Sequence, residues 1–323
     1  MKDQVRRMAA GLVLRPVRHA DVHQVAQLIY DVCAAEGDVS VAVTPEELAA
    51  EWRREGFDPQ RDAFLVEEGG GQVVGYVSLE DKQEHCDLLG DLYVHPQYKG
   101  LAVGAALVEA MEGRAEEHVQ LAAPGLRVAV RVALDHKDEA GKAMFKAGGY
   151  APVRYYWRME TVLTAAPPAP VLPTGLALRP FVQAEHARAV CDARNDAFQD
   201  HWGNHELSFE GFTFYNLENP EYDPDLWGVI WDADEVAAFA INRFKMGIGW
   251  VQTLGVRPAW RKKGLGLALL QDAFGRFWQR GMKTIGLTVD AANPTGATRL
   301  YQKGGMQAVS EFVLVAKELR AGE

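Results

Sequence analysis

Six consecutive residues, Arg261-Lys262-Lys263-Gly264-Leu265-Gly266, make a basic, glycine-bearing turn of the kind that holds phosphate. They follow an apolar run at 251–256 that reads as a strand, ended by Pro258, and precede an apolar-periodic helix beginning near Leu267. The start of a helix offers N–H groups without intrahelical partners and the positive end of the helix dipole. Glycine has no Cβ, so the backbone can come close to a ligand. Arg261, Lys262 and Lys263 add charge. The same pattern also serves as a plain helix N-cap loop. Downstream, 285–289 reads as a second strand, and Asp290-Ala-Ala-Asn293-Pro294 as a turn into a helix capped by Asn293. That helix carries Tyr301 and stops at Gly304-Gly305. A polar and aromatic cluster at 195–206 supplies Asp200, His201, Trp202, His205 and Glu206. Histidine is matched to proton transfer near neutral pH, and at a helix C-terminus it also complements the negative end of the dipole.

These groups sit on a duplicated framework. Gly-Leu-Val-Leu-Arg-Pro at 11–16 recurs as Gly-Leu-Ala-Leu-Arg-Pro at 175–180. Asp-Leu-Tyr-Val-His-Pro at 91–96 matches Thr-Leu-Gly-Val-Arg-Pro at 253–258, and Met-Phe-Lys-Ala-Gly-Gly-Tyr at 144–150 matches Leu-Tyr-Gln-Lys-Gly-Gly-Met at 300–306. Three matches in one order indicate two copies of one domain. A Pro/Ala-rich stretch between them is an extended linker. The expected division is a domain at 1–165, a linker at 166–173 and a domain at 174–323. Each copy reads as a strand, one or two helices, an antiparallel strand pair, then strand, helix, strand, helix, strand. That order predicts an α/β fold in which each copy is a twisted mixed sheet flanked by helices. Aligning Pro96 with Pro258 sets Lys99 opposite Arg261, Ala102 opposite Gly264 and Gly104 opposite Gly266. Aligning the two Gly-Gly pairs sets Phe145 opposite Tyr301 and Lys137 opposite Asn293.

The Arg-x-x-Gly-x-Gly turn is similar to the pyrophosphate-binding motif of the GNAT-superfamily N-acetyltransferases. The strand followed by Asn293, Tyr301 and Lys303-Gly304-Gly305-Met306 resembles the second half of that fold. The resemblance covers nearly the whole chain, and the architecture is similar to that of tandem GNAT chains such as mycothiol synthase. It implies acetyl-CoA as co-substrate and an acceptor amine. The pyrophosphate would rest on the N–H groups of Arg261, Lys262, Lys263, Gly264, Leu265 and Gly266. The pantetheine arm would lie along Leu254, Gly255 and Val256 like an added strand, with Gly255 suited to a bulge or splay. Asn293 joins the cofactor-binding positions, and Tyr301 would protonate the departing thiolate. Phe145 has no proton to give, so the first copy is expected to be degenerate and the second catalytic. His201 and Glu206, with Asp200 and His205, are candidates for binding or deprotonating the amine.

Bulk properties narrow the class. Lys+Arg 34 against Asp+Glu 44 gives a net charge of −10, a poor basis for sequence-independent nucleic-acid binding. Cys33, Cys86 and Cys191 form no close pair, so neither a disulfide framework nor a metal site is expected. No apolar run reaches membrane-spanning length, and the start of the chain does not read as a signal peptide, which favours a cytoplasmic protein. The leading expectation is acetyl transfer to a small-molecule amine. A protein or peptide acceptor is the alternative within the enzymes, and a non-catalytic acyl-CoA-binding sensor the alternative outside them. The oligomeric state is not readable.

Overall fold

The computed structural model describes residues 5–100, 102–203, 205–293 and 295–322. Pro294, expected in the turn before the last helix, lies outside them. The chain forms two compact units, one of residues 1–154 with 312–323 and one of residues 155–311.

The first unit runs β1 (Arg6–Arg7), β2 (Val13–Pro16), α1 (Val22–Glu36), α2 (Pro45–Glu51), α3 (Pro59–Asp62), β3 (Ala63–Glu67), β4 (Val73–Gln83), β5 (Asp87–Val94), α4 (Val103–Leu121), β6 (Val128–Asp135) and α5 (Glu139–Ala147). β7 (Ala151–Val162) follows. The second unit continues with β8 (Leu176–Pro180), α6 (Gln183–Phe198), α7 (Phe209–Phe212), β9 (Gly228–Asp232), β10 (Glu235–Lys245), β11 (Ile248–Val256), α8 (Leu265–Gln279), β12 (Thr284–Asp290) and α9 (Ala297–Lys303). β13 (Gln307–Arg320) closes the chain. The strand order is β1-β2-β3-β4-β5-β6-β13 in the first unit and β8-β9-β10-β11-β12-β7 in the second. In each sheet the pair joined through a long helix is parallel, β5 with β6 and β11 with β12, and the others are antiparallel. The mixed sheets are those the element order predicts.

Helices lie on both faces of each sheet, and the alternation of side chains along a strand shows how. On β4, a Cβ at Gly75 would lie 2.6 Å from Val103 of α4, whereas the next residue, Tyr76, accepts a hydrogen bond from Trp52 Nε1 after α2. On β10, Ala238 and Ala240 cluster with Leu265 and Leu269 of α8, while Phe239 and Ile241 belong to the cluster that includes Val190 and Ala197 of α6.

The last strand of each repeat serves the unit built mainly by the other. β7 pairs over residues 156–162 with β12, and β13 pairs over 312–320 with β6. The compact units therefore divide at 154/155 and 311/312, not at the expected linker at 166–173. The free edge of β6 or β12 needs a ladder partner, and two strands that end equivalent repeats meet that need equally well. Val313 and Val315 are buried in the first unit's core beside Val130 and Val132. Val315→Ala, a change in the second repeat, is expected to destabilise the first unit by about 2 kcal/mol. Native-state hydrogen exchange checks this: β6 amides should lose protection, and loss confined to β12 would contradict the pairing.

Candidate active site

A cavity of about 790 Å³ opens in the second unit, walled by α6, β11, the 261–266 turn, β12 and α9, with Tyr156 from β7. The two parallel strands create it by parting. β11 pairs with β10 along its length, but with β12 only at Gly249 and Trp250. Beyond that point residues 251–256 all line the cavity. Their second edge has no strand partner among the described residues, and buried backbone N–H and C=O groups require partners. An extended ligand carrying amides can supply them.

β11 also carries a bulge. Ile241 faces Thr253 and Asn242 faces Val251, so Gln252 is the extra residue. A bulge re-aims the backbone beside it. The expectation that Gly255 marks this irregularity is corrected: Gly255 pairs in register with Phe239. A Cβ there would lie 2.6 Å from Phe239 Cζ and 3.2 Å from Ala197 Cβ, so glycine is required by packing under α6. Leu254 and Val256 flank it on the cavity wall.

At the end of β11 the chain turns into α8 through Gly264, the N-cap, at φ 84. The first helical bonds come from the N–H groups of Leu267 and Ala268, both to the Gly264 carbonyl at 3.1 Å. The N–H groups of Leu265 and Gly266 have no backbone partner among the described residues. A Cβ on Gly264 would meet no atom within 4 Å, so that side of the turn is open. Gly266 has a different reason: its Cβ would lie 2.9 Å from Leu300 Cδ2, where α8 packs on α9. Arg261 is engaged with the protein. Its Nη2 donates to the Ala197 carbonyl at 2.9 Å and its Nη1 to Asp200 Oδ2 at 3.1 Å, fastening the turn to the end of α6. Lys262 is exposed and lines the cavity; Lys263 is exposed and lies off its wall.

Across the cavity, Tyr301 on α9 is buried, and burial pushes its phenol up to about 12. Asn293 lines the wall but does not cap α9. Its Oδ1 accepts from Thr295 N at 2.8 Å and from Thr295 Oγ1 at 2.6 Å, and the N-cap is Gly296 at φ 78. The left-handed glycine delays the helix start, which corrects the expected cap.

The polar cluster divides. Asp200, His201 and Trp202 line the cavity; His205 and Glu206 do not, and Glu206 is exposed. The cause is a clamp on the departing chain. The Asn195 amide bonds the Leu207 backbone in both directions, at 2.9 and 3.0 Å, and Arg194 Nη1 donates to the His205 carbonyl at 2.9 Å. His201 is half-buried with its ring 4.5 Å from that of Phe198. Burial, then the charge of Arg261, lowers its pKa and keeps the imidazole neutral at pH 7. Tyr156, Arg194, Gln252 and Thr288 also line the cavity and were not expected there. Position 156 falls in the first repeat by sequence, and no local pattern marks a bulge or a strand separation.

The equivalent place in the first repeat lacks several of these features. Ala102 caps α4 in the same left-handed conformation, φ 61. Lys99 pairs with Glu36 at 3.2 Å and lies 3.9 Å from Asp138. β5 pairs with β4 without interruption from Leu88 to Val94. Phe145 is buried edge-on against Tyr150, ring centres 4.8 Å apart.

Comparison with known proteins identifies the family. The acetyltransferase (GNAT) family model matches residues 29–136 and 187–306. A mycothiol acetyltransferase of Thermobispora bispora is 31% identical over 297 residues, covering 90% of this chain and 94% of the relative. Another, from Catenulispora acidiphila, is 26% identical over 322 residues, covering 95% and 98%. A GCN5-related N-acetyltransferase from Sphaerobacter thermophilus superposes with a TM-score of 0.81 at 31% identity, covering 98% of each chain. A tandem GNAT protein from the clavulanic acid biosynthesis pathway shares the fold, with a TM-score of 0.71 at 16% identity, covering 97% of this chain and all of its own 100%. No helix among the described residues is long and apolar enough to cross a membrane. The chain belongs to the acetyltransferase (GNAT) family as a tandem N-acetyltransferase, with acetyl-CoA as its co-substrate.

Proposed function

We propose that the second repeat carries the catalysis and that the acceptor is a primary amine of a small molecule. The observation that carries this reading is one continuous line of groups: the edge of β11 without a strand partner among the described residues, the open helix start at Gly264, and Tyr301 facing both across one cavity. The pantetheine amides bond the 251–256 edge, and the pyrophosphate takes the N–H groups of Leu265 and Gly266. Arg261 holds the turn in shape through Ala197 and Asp200, so phosphate charge is met mainly by Lys262 and the helix start. At the bulge, backbone N–H groups face the thioester oxygen as it gains charge.

The amine nitrogen attacks the thioester carbon, a C–N bond forms, and the C–S bond breaks. A tyrosine phenol is protonated at neutral pH, and burial raises the pKa of Tyr301 further, so it has a proton for the departing sulfur. The amine's surplus proton leaves through His201, directly or by way of water. The first repeat contributes scaffold: Phe145 offers no proton, and carboxylates surround Lys99. The relatives named mycothiol acetyltransferase support a small acceptor over a protein one. An acceptor panel with purified chain, followed by coenzyme A release, tests this. Turnover with small amines supports the reading; turnover only with peptides, or with nothing despite acetyl-CoA binding, rejects it.

The pKa of His201 is lowered, so the neutral base persists below pH 6.5 and activity should be lost only on further acidification. With the acceptor amine's own ionisation divided out, an acid limb of kcat/KM is therefore expected below pH 6.5 and should vanish, with reduced plateau activity, in His201→Gln. The same acid limb in the variant would remove His201 from proton transfer.

A further inference from the structure

Outside that cavity, one cluster brings together side chains with no part in acetyl transfer. Asp81 lies on β4, His85 in the turn between β4 and β5, and His118 near the end of α4, all in the first unit. His85 Nδ1 is 2.8 Å from Asp81 Oδ2 and 2.9 Å from His118 Nδ1, and the last two atoms are 3.9 Å apart. Three points at those separations lie on a circle of radius about 2 Å, so one position is about 2 Å from all three atoms, the length of a Zn–N or Zn–O bond.

Proton accounting points the same way. A neutral imidazole has one N–H, and Nδ1 of His85 faces two acceptors-in-waiting at hydrogen-bonding distance. If His85 Nδ1 carries the proton, it must divide it between a carboxylate oxygen and a ring nitrogen. If His118 Nδ1 carries it, His85 presents a lone pair to the Asp81 oxygen at 2.8 Å. A cation among the three lone pairs satisfies all of them at once. The ligands are also held in place. Asp81 accepts from the backbone N–H groups of Gln83 and His85, and His118 is only 3% exposed. The His118 Nε2 atom is buried without a hydrogen-bond partner, and Nδ1 is the nitrogen turned to the cluster. Arg114, one turn earlier on α4, is 2.7 Å from Asp62 and also pairs with Glu117, which offsets its charge.

We propose that Asp81, His85 and His118 bind a divalent transition-metal ion, to which the two-imidazole, one-carboxylate set is suited. His85 is partly exposed, which leaves a side of the ion open to water. Bound metal ties the β4–β5 turn to the last turns of α4. Asp81 and His85 stand four residues apart but His118 comes 33 residues later, so no spacing signature announces the set.

The test uses the full chain, stripped with chelator and dialysed, then titrated with Zn²⁺ by calorimetry and with Co²⁺ by visible absorption. One equivalent should bind, with Co²⁺ d–d bands of a low-coordinate site. His85→Ala, on an exposed turn, should weaken binding about 100-fold or more and abolish those bands while circular dichroism stays unchanged. His118→Gln should do the same, and His23→Ala, exposed on α1, should bind as the wild type does. Absence of saturable binding to the wild type, or wild-type affinity in His85→Ala, overturns the proposal.

Discussion

Tyr301→Phe is expected to lower kcat about 100-fold with little change in acetyl-CoA affinity, toward the lower end of what general acid catalysis supplies. The ring and its place in the core are kept, and only the hydroxyl is lost. Tyr301 is buried in the same cluster as Leu270 and Met306, so a larger truncation would confuse packing with chemistry. The hydroxyl acts mainly as the C–S bond breaks, so the loss belongs in kcat and not in cofactor binding. Thiolates leave tolerably without an acid, which limits the penalty. The first repeat already has Phe at this place: Phe145 is buried against Tyr150 and packs without a hydroxyl. Steady-state kinetics on an amine accepted by the wild type decides the matter. An unchanged kcat would make Tyr301 a packing residue.

Gly264→Val should abolish measurable acetyl-CoA binding, and Gly264→Ala should weaken it about 10-fold or more, equivalent to ~1.4 kcal/mol. Two effects must be separated. A side chain at φ 84 is strained, and a side chain also occupies the space over the helix start. Ala102 separates them, because it caps α4 at φ 61 with its Cβ in place. The left-handed cap alone therefore does not demand glycine. The direction in which a Cβ on Gly264 would point is open to 4 Å, and it lies on the cavity wall. Ala102→Val imposes similar strain at the start of α4 and should leave acetyl-CoA affinity nearly unchanged. Calorimetry on the variants, with thermal melts to monitor folding, distinguishes the causes. Equal losses at the two positions would show that the asymmetry between the repeats is not about the cofactor.

Patterns of residue type were readable where the physics is local. The turn at 261–266, the strands on either side of α8, and the repeat itself follow from apolar periodicity, Pro and Gly, and these the structure contains. Reasons for individual glycines were not readable, because they depend on what packs above them. Gly255 is fixed by Phe239 and Ala197, and Gly266 by Leu300. The bulge fell at Gln252 because register against β10 is a property of two strands and not of one. The cap expected at Asn293 and the position of Glu206 differ for similar reasons. A left-handed Gly296 starts α9 late, and Asn195 draws the chain at Leu207 away from the cavity. The exchange of β7 and β13 had no sequence sign, since equivalent repeats end in equivalent strands. Tyr156 reached the cavity by that exchange. Arg261 has the residue type of a phosphate ligand, but its neighbours Ala197 and Asp200 claim the guanidinium.

The most direct measurement is a crystal structure of the chain with acetyl-CoA bound. Its pyrophosphate should lie within hydrogen-bonding distance of the Leu265 and Gly266 N–H groups, its pantetheine amides on the 251–256 edge of β11, and its sulfur beside the Tyr301 hydroxyl. A cofactor seated instead against Lys99 and Ala102 in the first repeat, or a sulfur remote from Tyr301, would contradict catalysis by the second repeat.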